Sequence, residues 1–235
     1  MRPLSRSEQN HVESFNEIIT SKHIEIDFSE CGTLKEPLTE NPRSITFFPE
    51  FDQVALGHQL RECNLRIAEI SCRWRTVEKN PEIGGEFRLR DVYDSILRRA
   101  PQFSPEAAKG TEIKIFPQLR VIDFPQHAGT GNFAAIRIQE HVEPLEMWYY
   151  DARLSTAPGR NSGLIQMDTS YCDYLATLLL TKGTFGWQYL FTDVSLRGIF
   201  FQETVEGLRR MISLFPEIFP GRDYSSLAAR LEARL

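Results

Sequence analysis

The spacing of apolar residues in the second half of this 235-residue chain changes from strand-like to helical close to Met167. Before that point, short runs such as "NFAAIRI" and "LEMWYYD" have the composition of β-strands, and turn-forming residues separate them. After it, apolar residues recur at helical spacing, as at Tyr171, Tyr174 and Leu175. The order predicts an α+β fold with a central, mostly antiparallel sheet and with helices segregated at the N-terminus and in the C-terminal third.

The first half of the chain predicts one long helix and several strands. The run "SEQNHVESFNEIITSK" has apolar residues at helical spacing, with Ser7 as its N-cap. Strands are expected at "HIEIDF", "ITFFPEF", "EIKIF" and "LRVIDF", and "DVYDSILRRAP" is expected to be a short helix. Residues 64–77 alternate polar and apolar side chains, which favours a strand, although a helix is an alternative for their first half.

Three helices are expected after Met167. Ser170 is a candidate N-cap with Asp173 at the capping-box position, and Gly183 fits the left-handed residue that ends such a helix. The run "IFFQETVEGLRRMISLF" predicts a second helix that ends before Pro216, and "SSLAARLEARL" predicts a third.

Composition and cysteine spacing narrow the class of protein. The hydrophobic fraction of 41 % is ample for a buried core, and the net charge of −5 argues against nonspecific binding to nucleic acid or to an anionic membrane. The N-terminus lacks the apolar core of a signal peptide, and no apolar run approaches the length of a membrane span. The cysteines lack zinc-site spacing and are predicted to be reduced thiols of a cytoplasmic protein; they are Cys31, Cys63, Cys72 and Cys172.

Motifs for phosphate or metal binding are weak. The segment "HAGTGNF" lacks both GxGxxG spacing and a P-loop Lys-Ser/Thr pair, so Gly129 and Gly131 are predicted to form a turn between strands. One set of metal ligands can be imagined, but neighbouring residues of a strand face opposite ways, which favours surface polar residues. That set is His127, Glu140, His141 and Glu143.

Three aspartates and one cysteine are candidate catalytic residues. Asp123, Asp151 and Asp168 each follow a strand-like run, as nuclease ligands do, but the Asp and Glu-x-Lys arrangement of a common nuclease core is missing. Turn and cap roles are therefore preferred for all three. Cys172 lies beside Asp173, whose charge would raise the pKa of a thiol and disfavour a nucleophile.

Aromatic residues are the remaining signal. Trp148, Tyr149 and Tyr150 are consecutive in a predicted strand, and Trp187 begins the run "WQYLF". Core packing explains most of these rings, but Tyr and Trp also anchor protein interfaces. Basic residues do not interleave with them, as a platform for nucleic-acid bases would require.

The order of these features resembles the SUKH superfamily. A Gly-containing hairpin, a strand ending in Tyr150-Asp151 and a capped helix with Tyr171 and Tyr174-Leu175 carry the resemblance, followed by "TKGTFGWQYLF". It covers residues 112–191. In the N-terminal half only "NPEIGGEF" is similar to the family's Pro-x-x-Tyr/Phe and Asn-Gly-Gly segment. The chain is accordingly expected to be a single α+β domain, 1–235, with an N-terminal extension (1–110), the family-like core (112–191) and C-terminal helices (199–235).

The resemblance implies a cytoplasmic protein that binds another protein and is not an enzyme. Many bacterial members are immunity proteins that neutralise a polymorphic toxin, often a nuclease, and the acidic balance suits a basic toxin. No cofactor, metal, nucleic acid or membrane partner is expected. The expected contacts are the surface-exposed members of one set: Trp148, Tyr150, Asp151, Asp173 and Trp187.

Two other functions remain alternatives. One is a small metal-dependent hydrolase or nuclease that uses Asp123, Asp151 and His127. The other is a regulatory scaffold that acts through its C-terminal helices, as fungal relatives of the superfamily regulate cell-wall synthesis through protein contacts.

Overall fold

The strands form one sheet in a computed structural model of the chain, which describes residues 3–35, 63–98, 100–101, 112–139, 142, 144–156 and 162–235. The sheet has seven strands in sequence order, and every neighbouring pair is antiparallel. They are β1 (Ile24–Cys31), β2 (Glu69–Thr76), β3 (Gly84–Arg90), β4 (Leu119–Asp123), β5 (Phe133–Arg137), β6 (Glu146–Tyr150) and β7 (Leu164–Met167).

The described helices lie at the N-terminus, between β3 and β4, and after β7. They are α1 (Arg6–Thr20), α2 (Val92–Leu97), α3 (Glu112–Ile115), α4 (Tyr171–Thr181), α5 (Gln202–Ile218) and α6 (Ser225–Glu232), with short 3-10 turns at Phe116–Gln118, Ala152–Thr156, Trp187–Phe191 and Ile199–Phe201. With the antiparallel sheet, this order confirms the predicted α+β class.

Apolar side chains bury both faces of the sheet. On one face, side chains of α1, α4, α5 and α6 join those of the strands in a single cluster that extends from Phe15 to Leu231. A smaller cluster on the other face is centred on Phe116, Leu119 and Phe133. This pattern follows from the alternation of side chains along each strand, because Ala134 and Ile136 belong to the first cluster and Ala135 to the second.

The helix caps were predicted correctly from local sequence at α4 but not at α1. At α4, the Ser170 hydroxyl accepts a hydrogen bond from the Asp173 N–H at 3.1 Å, as predicted. Gly183 has the expected left-handed backbone (φ 73°), and Lys182 before it is left-handed as well. The predicted N-cap of α1 is wrong. The cap is Ser5, because Glu8 three residues later completes a reciprocal capping box with it.

Two predicted elements differ from the structure, and one alternative is not observed. Residues 112–116 are not a strand: they form α3 and open a 3-10 turn, and the buried Glu112 carboxylate accepts hydrogen bonds from the Gly163 and Leu164 N–H groups. Helix α5 continues past Pro216 to Ile218, and at its end the Phe215 and Phe219 rings meet edge to face, with 5.1 Å between their centroids. The first half of residues 64–77 is not helical, and β2 begins at Glu69. The predicted strand "ITFFPEF" lies outside the described residues.

A disulfide overturns the prediction of four reduced cysteines. Cys63, which precedes β2, is bonded to Cys172 in the first turn of α4, across 109 residues of sequence. Cys31 is free and exposed, and Cys72 is free and buried. The bond removes Cys172 as a candidate nucleophile. Separately, none of the described helices is both long and apolar enough to cross a membrane.

Candidate functional site

A cleft opens where the sheet splits between β3 and β4. Strands β2 and β3 are paired from Glu69↔Arg90 to Arg75↔Gly84, whereas β3 and β4 are paired only at Leu89↔Asp123. The edge of β3 from Gly84 to Glu86 is therefore released from β4. Such a free edge leaves backbone hydrogen-bonding groups that need other partners.

Two buried carboxylates accept backbone N–H groups across the gap between β3 and β4, where strand-to-strand hydrogen bonds are missing. Asp123 accepts a hydrogen bond from the Arg88 N–H at 2.7 Å. Glu86 accepts one from the N–H of His127 and one from that of Ala128, each at 2.7 Å. These carboxylates hold the loop that follows β4 against β3, although the two backbones have separated.

The segment 183–186 pairs with the released edge of β3. The Glu86 N–H donates to the Gly183 carbonyl at 2.9 Å, and the Phe185 N–H donates to the Gly84 carbonyl at 3.0 Å. This approach requires glycine. A Cβ on Gly85 would lie 2.6 Å from the Trp74 ring, and one on Gly183 would lie 2.9 Å from the Glu86 carbonyl oxygen. The run "TKGTFGWQYLF" thus begins as an inserted edge segment and ends in the buried 3-10 turn Trp187–Phe191.

The cleft has a volume of about 590 Å³. Its polar floor includes Glu86, Asn132 and Gln188, all buried, and its rim includes residues of the first turns of α5. The Asn132 amide donates to the Tyr149 hydroxyl at 3.1 Å, while its Oδ1 is buried without a partner in the described part of the chain.

Two tyrosine–carboxylate pairs lie beside the cleft. Tyr174 donates to Asp123 at 2.7 Å, and Tyr189 donates to Asp151 at 2.7 Å. Burial raises the pKa of Asp123 to about 6. Burial would likewise raise the pKa of Asp151, but hydrogen bonds from the Arg153 guanidinium and from Tyr189 outweigh it and hold that pKa below its usual range.

The structure separates the five predicted contact residues. Trp187 and Asp151 are fully buried, at 0 % exposure, so neither is available on the surface. Trp148 and Tyr150 are half-buried beside the smaller apolar cluster, on the opposite face of the sheet from α4. Asp173 is exposed in the first turn of α4 and accepts a hydrogen bond from Ser170.

The residues of the alternative enzyme site have other contacts. The His127 ring stacks on Phe28 at 4.1 Å between centroids, while Asp123 and Asp151 accept hydrogen bonds from the tyrosines. Asp168 is exposed and lies 3.9 Å from Arg230. No group of three His, Cys, Asp or Glu side chains suited to a metal occurs among the described residues.

Two further predictions concern the loops around these residues. The glycines of "HAGTGNF", Gly129 and Gly131, have positive φ in the turn between β4 and β5, as predicted. The other candidate metal ligands, Glu140, His141 and Glu143, lie outside the described residues.

Sequence patterns did not identify the residues that line the cleft. Glu86, Asn132 and Gln188 lie in the quoted segments "NPEIGGEF", "HAGTGNF" and "TKGTFGWQYLF", but residue type and spacing did not mark any of the three as a site residue. One signal was present: Gly84-Gly85 opens a strand, and a strand glycine often marks close approach of another backbone. A scan against protein-family models, a search of curated proteins and a search of solved structures each returned no match.

Proposed function

We propose that this chain is a non-catalytic protein-binding domain that neutralises a cognate toxin through the cleft and the exposed apolar residues around it. The cleft carries the proposal, because it combines a polar floor with the exposed ring of Phe185, and further exposed apolar residues precede the helix that forms part of its rim. The resemblance to the SUKH superfamily supplies the kind of partner.

Exposed apolar residues lie in two short segments, one that lines the cleft and one that leads into the helix at its rim. Phe185 lines the cleft and is 42 % exposed. Ile199 and Phe200, in the turn that leads into α5, are 89 % and 38 % exposed. Helix α5 continues from that turn along the cleft through Glu203 and Thr204. Exposed aromatic and aliphatic side chains around a cleft are typical anchors of a protein interface.

A growth assay tests the toxin proposal. The product of the reading frame next to the gene is expressed in a heterologous host with and without this chain. We expect the neighbour alone to stop growth and this chain to restore it. The double variant Phe185→Asp and Phe200→Asp should lose protection, whereas Ile113→Asp should keep it, because Ile113 is 60 % exposed in α3, away from the cleft. A harmless neighbour, or full protection by the double variant, would contradict the proposal.

The disulfide bears on where neutralisation takes place. The sequence predicts a cytoplasmic protein, but disulfides persist in oxidising compartments and are rare in the cytosol. We propose that the protein acts where Cys63–Cys172 stays oxidised. Protein recovered from its native cells under acid quench, denatured and alkylated without reductant, should carry two labels, on Cys31 and Cys72. Four labels would support the cytoplasmic prediction.

A further inference from the structure

The floor of the cleft presents hydrogen-bond acceptors. Glu86 is 3 % exposed, and its two oxygens each accept one backbone N–H, which leaves further lone pairs available. Asn132 is 8 % exposed and also lines the cleft, and its Oδ1 has no partner in the described part of the chain. Buried acceptors are almost always paired in folded proteins, so an unpaired one in a cleft favours a ligand with N–H donors.

The rim adds negative charge. Glu82 and Glu203 are exposed at the cleft, and neither carboxylate has a partner among the residues the structure describes. The arginines that line the cleft are already paired with carboxylates: Arg73 with Asp27 at 3.4 Å, Arg153 with Asp151 at 2.7 Å and Arg210 with Glu206 at 3.4 Å. The remaining charge of the cleft is therefore negative and favours a cation.

The exposed ring of Phe185 adds an aromatic surface to the acceptors and negative charges of the cleft. An aromatic face attracts a cation and also packs against the methylene groups of a long basic side chain. A guanidinium suits this combination better than an ammonium does, because it is planar, stacks on rings and offers five N–H donors in a fixed arrangement.

We propose that the cleft binds an arginine side chain presented by the partner protein. The guanidinium donates to Glu86 and to Asn132 Oδ1, its stem packs against Phe185, and Glu82 and Glu203 attract it. This inference rests on the proposed function, since it names the chemistry that the same site recognises in its partner.

A titration with small probes tests this chemistry on the full chain. The probes are N-acetyl-arginine amide, N-acetyl-lysine amide and N-acetyl-citrulline amide, followed by amide chemical shifts. We expect the arginine probe to shift residues of the cleft, such as Thr184, and to bind more tightly than the lysine probe. Citrulline has the shape of arginine without the charge and should bind at least about tenfold more weakly, the loss expected for one charge-assisted contact. Equal binding of arginine and citrulline would overturn the inference.

Matched variants assign the binding to the cleft. Glu82→Gln with Glu203→Gln alters only exposed side chains, so the fold is retained, and it should weaken the arginine probe about tenfold. Glu86→Gln should weaken it further, provided that its spectrum outside the cleft is unchanged. The control Glu217→Gln removes an exposed carboxylate of α5 outside the cleft and should leave binding unchanged. Rim and control variants that bind alike would contradict the inference.

The two proposals fail in different ways. If the neighbour is not a toxin but the arginine probe binds in the cleft, the proposed function fails and the inferred chemistry stands. If the chain protects against the toxin but the probe does not bind, or shifts residues outside the cleft, the function stands and the arginine site is wrong.

Discussion

Asp123 and Asp151 form two closely similar sites beside the cleft, yet their pKa values move in opposite directions. Each carboxylate lies at the end of a strand, is at most 1 % exposed and accepts a tyrosine hydroxyl at 2.7 Å. Burial raises the pKa of Asp123 to about 6, whereas the pKa of Asp151 is lowered. The difference is Arg153, whose guanidinium donates to both oxygens of Asp151.

The comparison shows that burial and a tyrosine do not by themselves fix the charge of a carboxylate. Without a cation, the cost of removing Asp123 from water exceeds what its hydrogen bonds return. With the guanidinium, the balance reverses at Asp151. Asp123 should therefore be a site where the charged form destabilises the fold, and Asp151 one where it stabilises the fold.

The largest expected effect comes from removing each carboxylate. Asp151→Ala should lower the free energy of unfolding at pH 7 by about 4 kcal/mol, because it breaks a buried, charge-assisted cluster. Asp123→Ala should lower it by about 2 kcal/mol, because lost hydrogen bonds are partly offset by removal of an unfavourable charge. Urea denaturation of the non-reduced protein measures both. Equal losses would remove the proposed difference between the two sites.

The next effect is a dependence of stability on pH that Asp123 should show and Asp151 should not show in this direction. The folded-state pKa of Asp123, about 6, lies above the ordinary value of 3.8, so between these values the folded protein retains a proton that the unfolded chain has lost. Its contribution to stability is therefore largest below pH 3.8 and falls as the pH rises through 6, by about 3 kcal/mol in all.

Asp123→Asn isolates this contribution because it removes the titration and retains a hydrogen-bond acceptor. From pH 4 to pH 7, the variant should gain about 2 kcal/mol of stability relative to wild type, because part of the total is already lost at pH 4. Denaturation curves of both proteins across that range give the difference directly. A difference that does not change with pH would show that Asp123 has an ordinary pKa in the fold.

Removal of the Arg153 guanidinium should make the Asp151 site behave like the Asp123 site, with a raised carboxyl pKa. Arg153→Met leaves Asp151 with Tyr189 but without its cation, so the pKa of Asp151 should rise above its usual range. We expect a loss of about 2 kcal/mol at pH 7 and a smaller loss at pH 4, where the carboxyl group can protonate. Arg209→Met, which removes an exposed arginine of α5, is the control and should change stability little. The same loss at both pH values would contradict this interpretation.

The smallest expected difference is between the stability losses caused by removing the hydroxyl groups of Tyr174 and Tyr189. Tyr174→Phe leaves Asp123 with one backbone donor, from Arg88, and should cost about 2 kcal/mol at pH 7. Tyr189→Phe leaves Asp151 with the Arg153 contacts and should cost about 1 kcal/mol. Thermal or urea unfolding measures both, and a larger loss for Tyr189→Phe would reverse the order.

The fold was largely accessible from the sequence because its signals are local. The strand-like composition of β4 to β6, the Ser170 cap and the glycine turn at Gly129 and Gly131 depend on residues a few positions apart. The same local reasoning failed at residues 112–116. There a strand-like composition forms a helix, because Glu112 is held by backbone groups about fifty residues later.

The residues of the candidate site could mostly not be predicted from the sequence, because their burial depends on contacts between distant segments. Trp187 and Asp151 were expected as contacts because of their residue types, but residue type does not distinguish a buried anchor from an exposed one. Trp187 packs on Tyr174 and Phe191, and Asp151 is enclosed by Arg153 and Tyr189. Phe185, two residues before Trp187, is exposed and lines the cleft, but it was not among the predicted contacts.

The sequence by itself therefore determined the α+β class, the mostly antiparallel character of the sheet and most strand and helix positions, because hydrophobic spacing and caps act over a few neighbouring residues. Only the tertiary structure decided where the sheet splits, in which direction the pKa of each buried carboxylate moves and which cysteines pair. Those outcomes depend on groups distant in sequence, such as Cys63 and Cys172 or Glu86 and Gly183. Burial and pairing set their energies, and neither exists until the chain has folded.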